Sequence, residues 1–334
     1  MKVLFIGGNG NISWHCVDKL IKEGHDVWEL NRSATRTTRR AVQPQVHQII
    51  CDIRDTQNAR TKLKNIHFDV VCDFICYNED HAQKAIDMFF KITDQYIFIS
   101  SEAVYKRSPE IKIFNEKSEK YSPSEISGYA QGKVMAENLF IGAYQNNHFP
   151  VTIVRPGYTY DTIMPASLGH NCFTAVKKVL AGYPMLVYGD GENLCSPMHS
   201  SDFARAFTSL VGNNDSIGHS FNITSDKTIK SNEMATIVMD ELNIKNKEII
   251  HIPYEDLIKL NIIKDIEITK QHISNYVFDN SEIKRFAAQW EPKIDFRTGI
   301  RKTIAWLMED SRRQRIDANF DKELDLLYKL YWRH

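Results

Sequence analysis

The chain has 334 residues, 43% hydrophobic and 25% charged, the balance of an ordered globular protein long enough for two lobes sharing an interface. Its 42 basic and 42 acidic residues cancel, which argues against nucleic acid or an anionic membrane as partner and for a small molecule. The opening Lys2-Val3-Leu4-Phe5-Ile6 lacks a signal-peptide pattern, and no apolar run reaches the ~20 residues of a membrane helix, so a cytoplasmic protein is expected.

Taken along the chain, strand-like runs fall at 2–6, 26–30, 47–50, 69–73, 95–99 and 150–154, and apolar residues recur at helical spacing over 13–23, 79–90 and 129–145. This alternation is that of βαβ units, so the fold class is α/β: a doubly wound parallel Rossmann sheet over 1–160, to which 200–225 is expected to return. Beyond it the alternation fails. Turn signals such as Gly182-Tyr183-Pro184 and Gly189-Asp190-Gly191 mark a smaller α/β lobe over 161–199 and 226–310. Phe320, Leu324, Leu327, Leu330 and Tyr331 predict an amphipathic helix within 311–334. The cysteines (Cys16, Cys51, Cys72, Cys76, Cys172, Cys195) show no zinc-type pairing, so reduced thiols and no metal site are expected.

Directly after the first strand comes Gly7-Gly8-Asn9-Gly10-Asn11-Ile12-Ser13, opening a helix. Glycine at 7 permits a tight turn, and glycine at 10 lets a pyrophosphate approach backbone N–H groups at the helix N-terminus. Ser13 stands where a third glycine is usual, small enough for close helix packing. The second strand ends Leu30-Asn31-Arg32-Ser33. No carboxylate is there to meet the ribose hydroxyls of NAD, and Arg32 can pair with a 2′-phosphate, which favours NADP. Glu29 comes too early and is expected on the other face. Asp52, ending the third strand, is placed to meet the adenine amino group, with Asp55 the better candidate for a helix cap. Arg32, Arg36, Arg39 and Arg40 form a phosphate-binding patch or a solvated loop.

Two further segments carry chemistry: Tyr96-Ile97-Phe98-Ile99-Ser100-Ser101-Glu102-Ala103, and Tyr129-Ala130-Gln131-Gly132-Lys133 at the start of a helix. Tyr and Lys four apart share a helix face, so the ammonium and a bound, positively charged nicotinamide can lower the phenol from its usual ~10. The tyrosinate then takes a proton from a substrate hydroxyl held by Ser101. In this order and spacing, the motifs resemble the extended short-chain dehydrogenase/reductases, the NAD-dependent epimerase/dehydratase family, over residues 1 to about 309. Val154-Arg155-Pro156-Gly157-Tyr158-Thr159-Tyr160, Gly189-Asp190-Gly191-Glu192 and His199-Ser200-Ser201-Asp202 agree with it. The resemblance implies that Gly7, Asn9, Gly10, Ile12, Asp52, Ile53 and Phe74 line the cofactor, and Asn11, Asn31 and Arg32 are further cofactor candidates from their places in the turn and at the end of the second strand. It also implies that Ser101, Tyr129 and Lys133 are catalytic, that Lys133 holds the nicotinamide ribose, and that the protein is a homodimer.

Two departures bear on the substrate. Members acting on nucleotide-diphosphate sugars usually carry an arginine where Cys195 stands; Arg155, Lys177 or Lys178 are the candidates to replace it. Sugar dehydratases have an Asp-Glu pair after the catalytic Ser or Thr, whereas here Glu102 is followed by Ala103. The expected activity is therefore epimerisation of a sugar or nucleotide sugar. A dehydratase using Glu102 comes second, a net reductase third, and a non-catalytic RNA-binding or regulatory protein of the same fold last.

Overall fold

The computed structural model describes residues 1–33, 39–107, 113–165, 173–262, 274–275 and 277–332. Arg36 and Cys172 therefore lie outside the described residues.

The strands β1 (Lys2–Ile6), β2 (Asp26–Asn31), β3 (His47–Ile50), β4 (Phe68–Asp73), β5 (Thr93–Ile99) and β6 (Val151–Pro156) join strand Ser220–Ile223 in one parallel sheet. Its order is Ser220–Ile223, β6, β5, β4, β1, β2, β3. The central strands β1, β4, β5 and β6 are short and mostly apolar because both sheet faces are covered there, whereas the edge strand β3 is largely exposed. One face buries Val3, Phe5, Val70 and Ile97 against helix α1 (Ser13–Lys22) and helix Ser200–Phe207. The other buries Leu4, Val71, Tyr96 and Phe98 against α2 (Thr56–Leu63), α3 (Glu79–Phe89) and α4 (Gly128–Asn147).

The order of strands reverses at β1, which pairs with β2 on one side and β4 on the other. Ile6 and Asp73 are register partners, and Phe74 N–H donates to the Ile6 carbonyl at 3.0 Å. The turns leaving β1 and β4 thus emerge side by side at the carboxyl edge, the place where a doubly wound sheet opens a ligand crevice.

The expected strands and long helices are present. Helix α2, which polar Thr56-Gln57-Asn58-Ala59-Arg60 does not announce by periodicity, starts on Asp55, whose carboxylate accepts the Asn58 N–H at 3.1 Å. In the smaller lobe, strand Met185–Tyr188 pairs in parallel with Ile249–Ile252, and helices Ser231–Glu241 and Phe296–Glu309 pack around Phe173, Met185, Val238 and Ile300. The C-terminal helix is shorter than the span expected. It covers Ala318–Tyr331, because Asp317 caps the N–H groups of Asn319 and Phe320. It buries Phe320, Leu324 and Leu327, while Leu330 faces out. Among the described residues no helix is long and apolar enough to cross a membrane.

Candidate active site

The turn after β1 is held by Ser13. Its hydroxyl accepts the Gly10 N–H at 2.8 Å and donates to the Gly7 carbonyl at 2.7 Å. The residue that replaces the third glycine is therefore a staple across the turn, and it uses up the Gly10 N–H. Gly7 has φ +80°, and a Cβ there would lie 2.7 Å from Ile75. Beneath the turn Glu29 is fully buried, so close to Gly8 that a Cβ on that residue would meet it at 2.6 Å. Glu29 thus lies under the turn, and its Oε2 accepts from Asn31 Nδ2 at 2.7 Å. Burial pushes Glu29 up to about 7, the Asn31 bond opposing.

The turn borders a cavity of about 460 Å³. Of the candidate cofactor residues, Gly7, Asn9, Gly10, Asn11, Ile12, Asn31, Arg32, Ile53 and Phe74 line it. Asp52 does not: its Oδ1 accepts the Arg54 N–H at 3.0 Å, while its neighbours Cys51 and Ile53 face the cavity. Asn11 lines it but spends its carboxamide on the far wall, donating to the Thr159 carbonyl at 3.3 Å and accepting from Thr162 N–H at 3.0 Å. Asn9 Oδ1 is buried without a partner among the described residues. Of the basic cluster, Arg32 and Arg39 line the cavity. Arg40 is instead clamped on Asp161, with Nε–Oδ2 at 2.9 Å and Nη2–Oδ1 at 2.6 Å.

Ser101, Tyr129 and Lys133 come together beside this cavity. Lys133 is 1% exposed and donates to the carbonyls of Cys76 and Ile99, both at 2.6 Å. Its ammonium stands 5.0 Å from the ring centre of Phe98, 5.2 Å from Tyr77 and 5.6 Å from Tyr129. Burial lowers it to about 8, with nearby Cys76 and Asp73 opposing. Tyr129 is 44% exposed, and desolvation of its phenol pushes it up to about 12, with Ser101 opposing the rise and Glu102 adding to it. The phenol is thus neutral around pH 7, not pre-ionised by Lys133. Ser101 also caps the short turn Glu102–Val104, accepting the Ala103 N–H at 3.2 Å. Glu102 is 8% exposed, and burial raises it to about 7 against the Arg107 charge.

Two residues not singled out in the sequence complete the arrangement. Tyr77 both lines the cavity and faces Tyr129, ring centres 6.4 Å apart, linking the two halves of the site. Gly132 lets α4 approach so closely that a Cβ would sit 2.3 Å from the Tyr77 carbonyl oxygen. The glycine inside Tyr129-Ala130-Gln131-Gly132-Lys133 was the available signal, since glycine weakens a helix unless close packing needs it.

The candidates to replace an arginine at Cys195 are engaged elsewhere or remote. Arg155 is buried in a two-bond fork with Glu137, Nε–Oε1 and Nη2–Oε2 both 2.8 Å, and a third bond to Tyr105 at 2.9 Å. Lys178 bridges Asp321 and Asp325 of the C-terminal helix at 3.0 and 2.5 Å, and Lys177 points to solvent. Cys195 is a neutral thiol pushed up to about 12 by burial.

A seven-stranded parallel sheet whose glycine turn and Ser–Tyr–Lys set meet at its carboxyl edge defines a Rossmann-type protein of the short-chain dehydrogenase/reductase class. The family model of the NAD dependent epimerase/dehydratase family matches residues 3–224, and the chain belongs to that family. It is similar to a UDP-N-acetyl-alpha-D-glucosaminuronate decarboxylase of Bacillus cytotoxicus, 25% identical over 335 residues, covering 92% of this chain and 98% of that one. It is also similar to a chloroplast stem-loop binding protein of 41 kDa from Arabidopsis thaliana, 23% identical over 309 residues, 90% of this chain and 77% of the relative. Among solved structures, the UDP-glucuronic acid 4-epimerase from Bacillus cereus in complex with UDP-glucuronic acid and NAD superposes with a TM-score of 0.73 at 18% identity. That match covers 92% of this chain and 99% of the other and bears on the fold.

Proposed function

We propose that the protein is an NAD(P)-dependent epimerase of a sugar or nucleotide sugar, working through a transient keto intermediate. What supports this is the convergence of Lys133, anchored on the Ile99 carbonyl two residues before Ser101 and 5.6 Å from the Tyr129 ring centre, with Tyr77 joining that ring to the glycine-turn cavity. The residues present fit a dinucleotide. Asn9 Oδ1 is orphaned, Gly7 and Gly10 leave room for a pyrophosphate, and the lining contains arginines but no carboxylate. Gly7, Asn9, Gly10 and Ile12 would hold the phosphates, and Asn31, Arg32, Ile53 and Phe74 the adenosine and ribose. Arg32 at the cavity, with no acid beside it, supports NADP over NAD.

When bound, a nicotinamide dinucleotide supplies a hydride acceptor that returns the hydride. Everything else falls to the chain. Ser101 holds the substrate hydroxyl, and Tyr129, once its phenol has given its own proton to solvent, takes the hydroxyl proton as the carbon is oxidised and gives it back on reduction. Lys133, anchored on two carbonyls, places positive charge under the phenol as it ionises. Residues 161–199 and 226–310 form the substrate lobe in this reading, and the protein works in the cytoplasm as a homodimer. A dehydratase is the second reading, favoured by the buried Glu102 carboxyl at about 7 beside Tyr129. The stem-loop binding relative keeps a binding role without turnover in view, against which stand the three assembled chemical groups.

The test is Tyr129→Phe, with nucleotide-linked and free hexoses followed by proton NMR. Turnover falls at least about 100- to 1,000-fold while dinucleotide affinity holds. Near-normal turnover removes Tyr129 from the mechanism.

A further inference from the structure

The cavity that the glycine turn borders is also lined by Leu307, Arg313 and Arg315, from the end of one helix and the segment that follows it. Helix Phe296–Glu309 ends at Leu307 and Glu309, and the chain then runs as a short turn and extended stretch to Asp317 before the C-terminal helix begins. That stretch is pinned along its length. Arg313 stacks 3.3 Å from the Trp306 ring centre and donates to the Trp306 carbonyl at 2.8 Å, the Arg315 carbonyl accepts the Phe173 N–H at 2.7 Å, and Asp317 N–H donates to Thr174 at 2.9 Å. Leu307, Phe173 and Met164 pack in one cluster, and Thr162, two residues before Met164, is bonded to Asn11 of the turn. The segment therefore stands against the turn's own wall.

Four arginines line this cavity, Arg32, Arg39, Arg313 and Arg315, and no acid does. Arg313 is already engaged by Glu309 through Nη1, at 2.5 Å. Arg315 carries an exposed guanidinium that forms no hydrogen bond or ion pair with any described residue. Meanwhile the turn is short of donors: the Ser13 staple takes the Gly10 N–H, and Asn11 is committed to Thr159 and Thr162. A dianionic pyrophosphate placed there meets the N–H groups of the helix start and little else from the turn.

We propose that Arg315 is a dinucleotide-binding residue, its guanidinium pairing with the pyrophosphate in the cavity that both it and the glycine turn line, and replacing donors that the turn spends on itself. The segment 310–317 is thereby part of the cofactor site. This deepens the cofactor part of the proposed function and is independent of which reaction follows. Because NAD and NADP share the pyrophosphate, Arg315 contributes equally to both, unlike a residue that reads the 2′-phosphate.

The test is calorimetric titration of NAD and NADP into wild type, Arg315→Ala, Arg315→Lys and Arg312→Ala. Arg312 is the matched control: it lies three residues away, outside the lining, and is paired with Asp310 at 2.6 Å. A lost charge-assisted bond corresponds to about 10- to 100-fold in Kd. The expected result is a loss of that size for both cofactors in Arg315→Ala, partial recovery in Arg315→Lys, unchanged affinity in Arg312→Ala, and an unchanged melting temperature throughout. Unaltered binding by Arg315→Ala, or an equal loss in Arg312→Ala, overturns the inference while leaving the cofactor reading standing. A wild type that binds neither dinucleotide overturns both.

Discussion

Gly132→Ala perturbs the site through packing alone. The new Cβ would lie 2.3 Å from the Tyr77 carbonyl oxygen and 3.4 Å from Asn78 Cβ. The first is a backbone atom that cannot rotate away, so α4 and the loop after β4 must separate. Alanine gains about 1 kcal/mol of helix propensity over glycine. Overpacking costs about 1–3 kcal/mol. The separation also stretches the bond from Lys133 to the Cys76 carbonyl, one residue before Tyr77, and a hydrogen bond to a charged group is worth about 1.5–3 kcal/mol. The net loss is about 1.5–5 kcal/mol, and melting falls by several degrees, at about 2–4 °C per kcal/mol in chains approaching this size. Calorimetry gives the melting temperature, and NMR turnover shows whether Lys133 has left its place under Tyr129. A variant as stable and as active as wild type refutes the claim that Gly132 sets the distance between α4 and the β4 exit.

Two further substitutions probe the cofactor and the buried acid. Arg32→Ala weakens NADP by about 10- to 100-fold and leaves NAD within about threefold, since only NADP offers a 2′-phosphate; equal loss for both cofactors in a titration places Arg32 elsewhere. Glu102→Gln turns over within about tenfold of wild type if the protein is an epimerase, about 1.4 kcal/mol in barrier, whereas a dehydratase stalls with reduced cofactor visible by its near-ultraviolet absorbance. The same variant flattens the pH profile of stability. Because Glu102 rises from 4.5 to about 7 on folding, the wild type loses up to about 3 kcal/mol from this group as pH climbs between those values, and Glu29 adds a similar slope that Glu102→Gln retains.

The sheet was legible because its strands are short apolar runs between turn signals, a pattern that both covered faces impose. Helix α2 was not, since its only strong signal is the Asp55 cap. At the site, sequence order brought Ser101, Tyr129 and Lys133 to one place, but spacing could not say where each spare hydrogen bond goes. Ser13, read as a tolerated small residue, closes the turn; Glu29, expected on the far face, lies beneath it; Asp52 serves Arg54. Arg155 looked available for a substrate diphosphate because a basic residue ending a strand near the site gives no hint of a partner 18 residues earlier on α4.

That partner explains how the helix is held. Tyr129, Lys133 and Glu137 succeed one another at intervals of four along one face of α4. Glu137 is buried, and Arg155 and Lys120, the latter at 3.0 Å, together hold it down to about 2 despite its burial. Removing Glu137 would leave the buried Arg155 charge uncompensated, at a cost of about 3–5 kcal/mol, so the fork is a strict requirement of the contact between α4 and β6. Glu102 and Glu29 are the opposite case: buried carboxyls raised to about 7, Arg107 only partly offsetting the burial of Glu102 and Asn31 that of Glu29. Within one site the chain thus separates an acid that stays ionised and anchors from acids that can change protonation near pH 7, and only the latter kind can take part in proton transfer. Of the two, Glu29 lies under the glycine turn with its Oε2 occupied by Asn31. Glu102 is the one beside Tyr129, which makes it the residue on which the choice between epimerase and dehydratase turns.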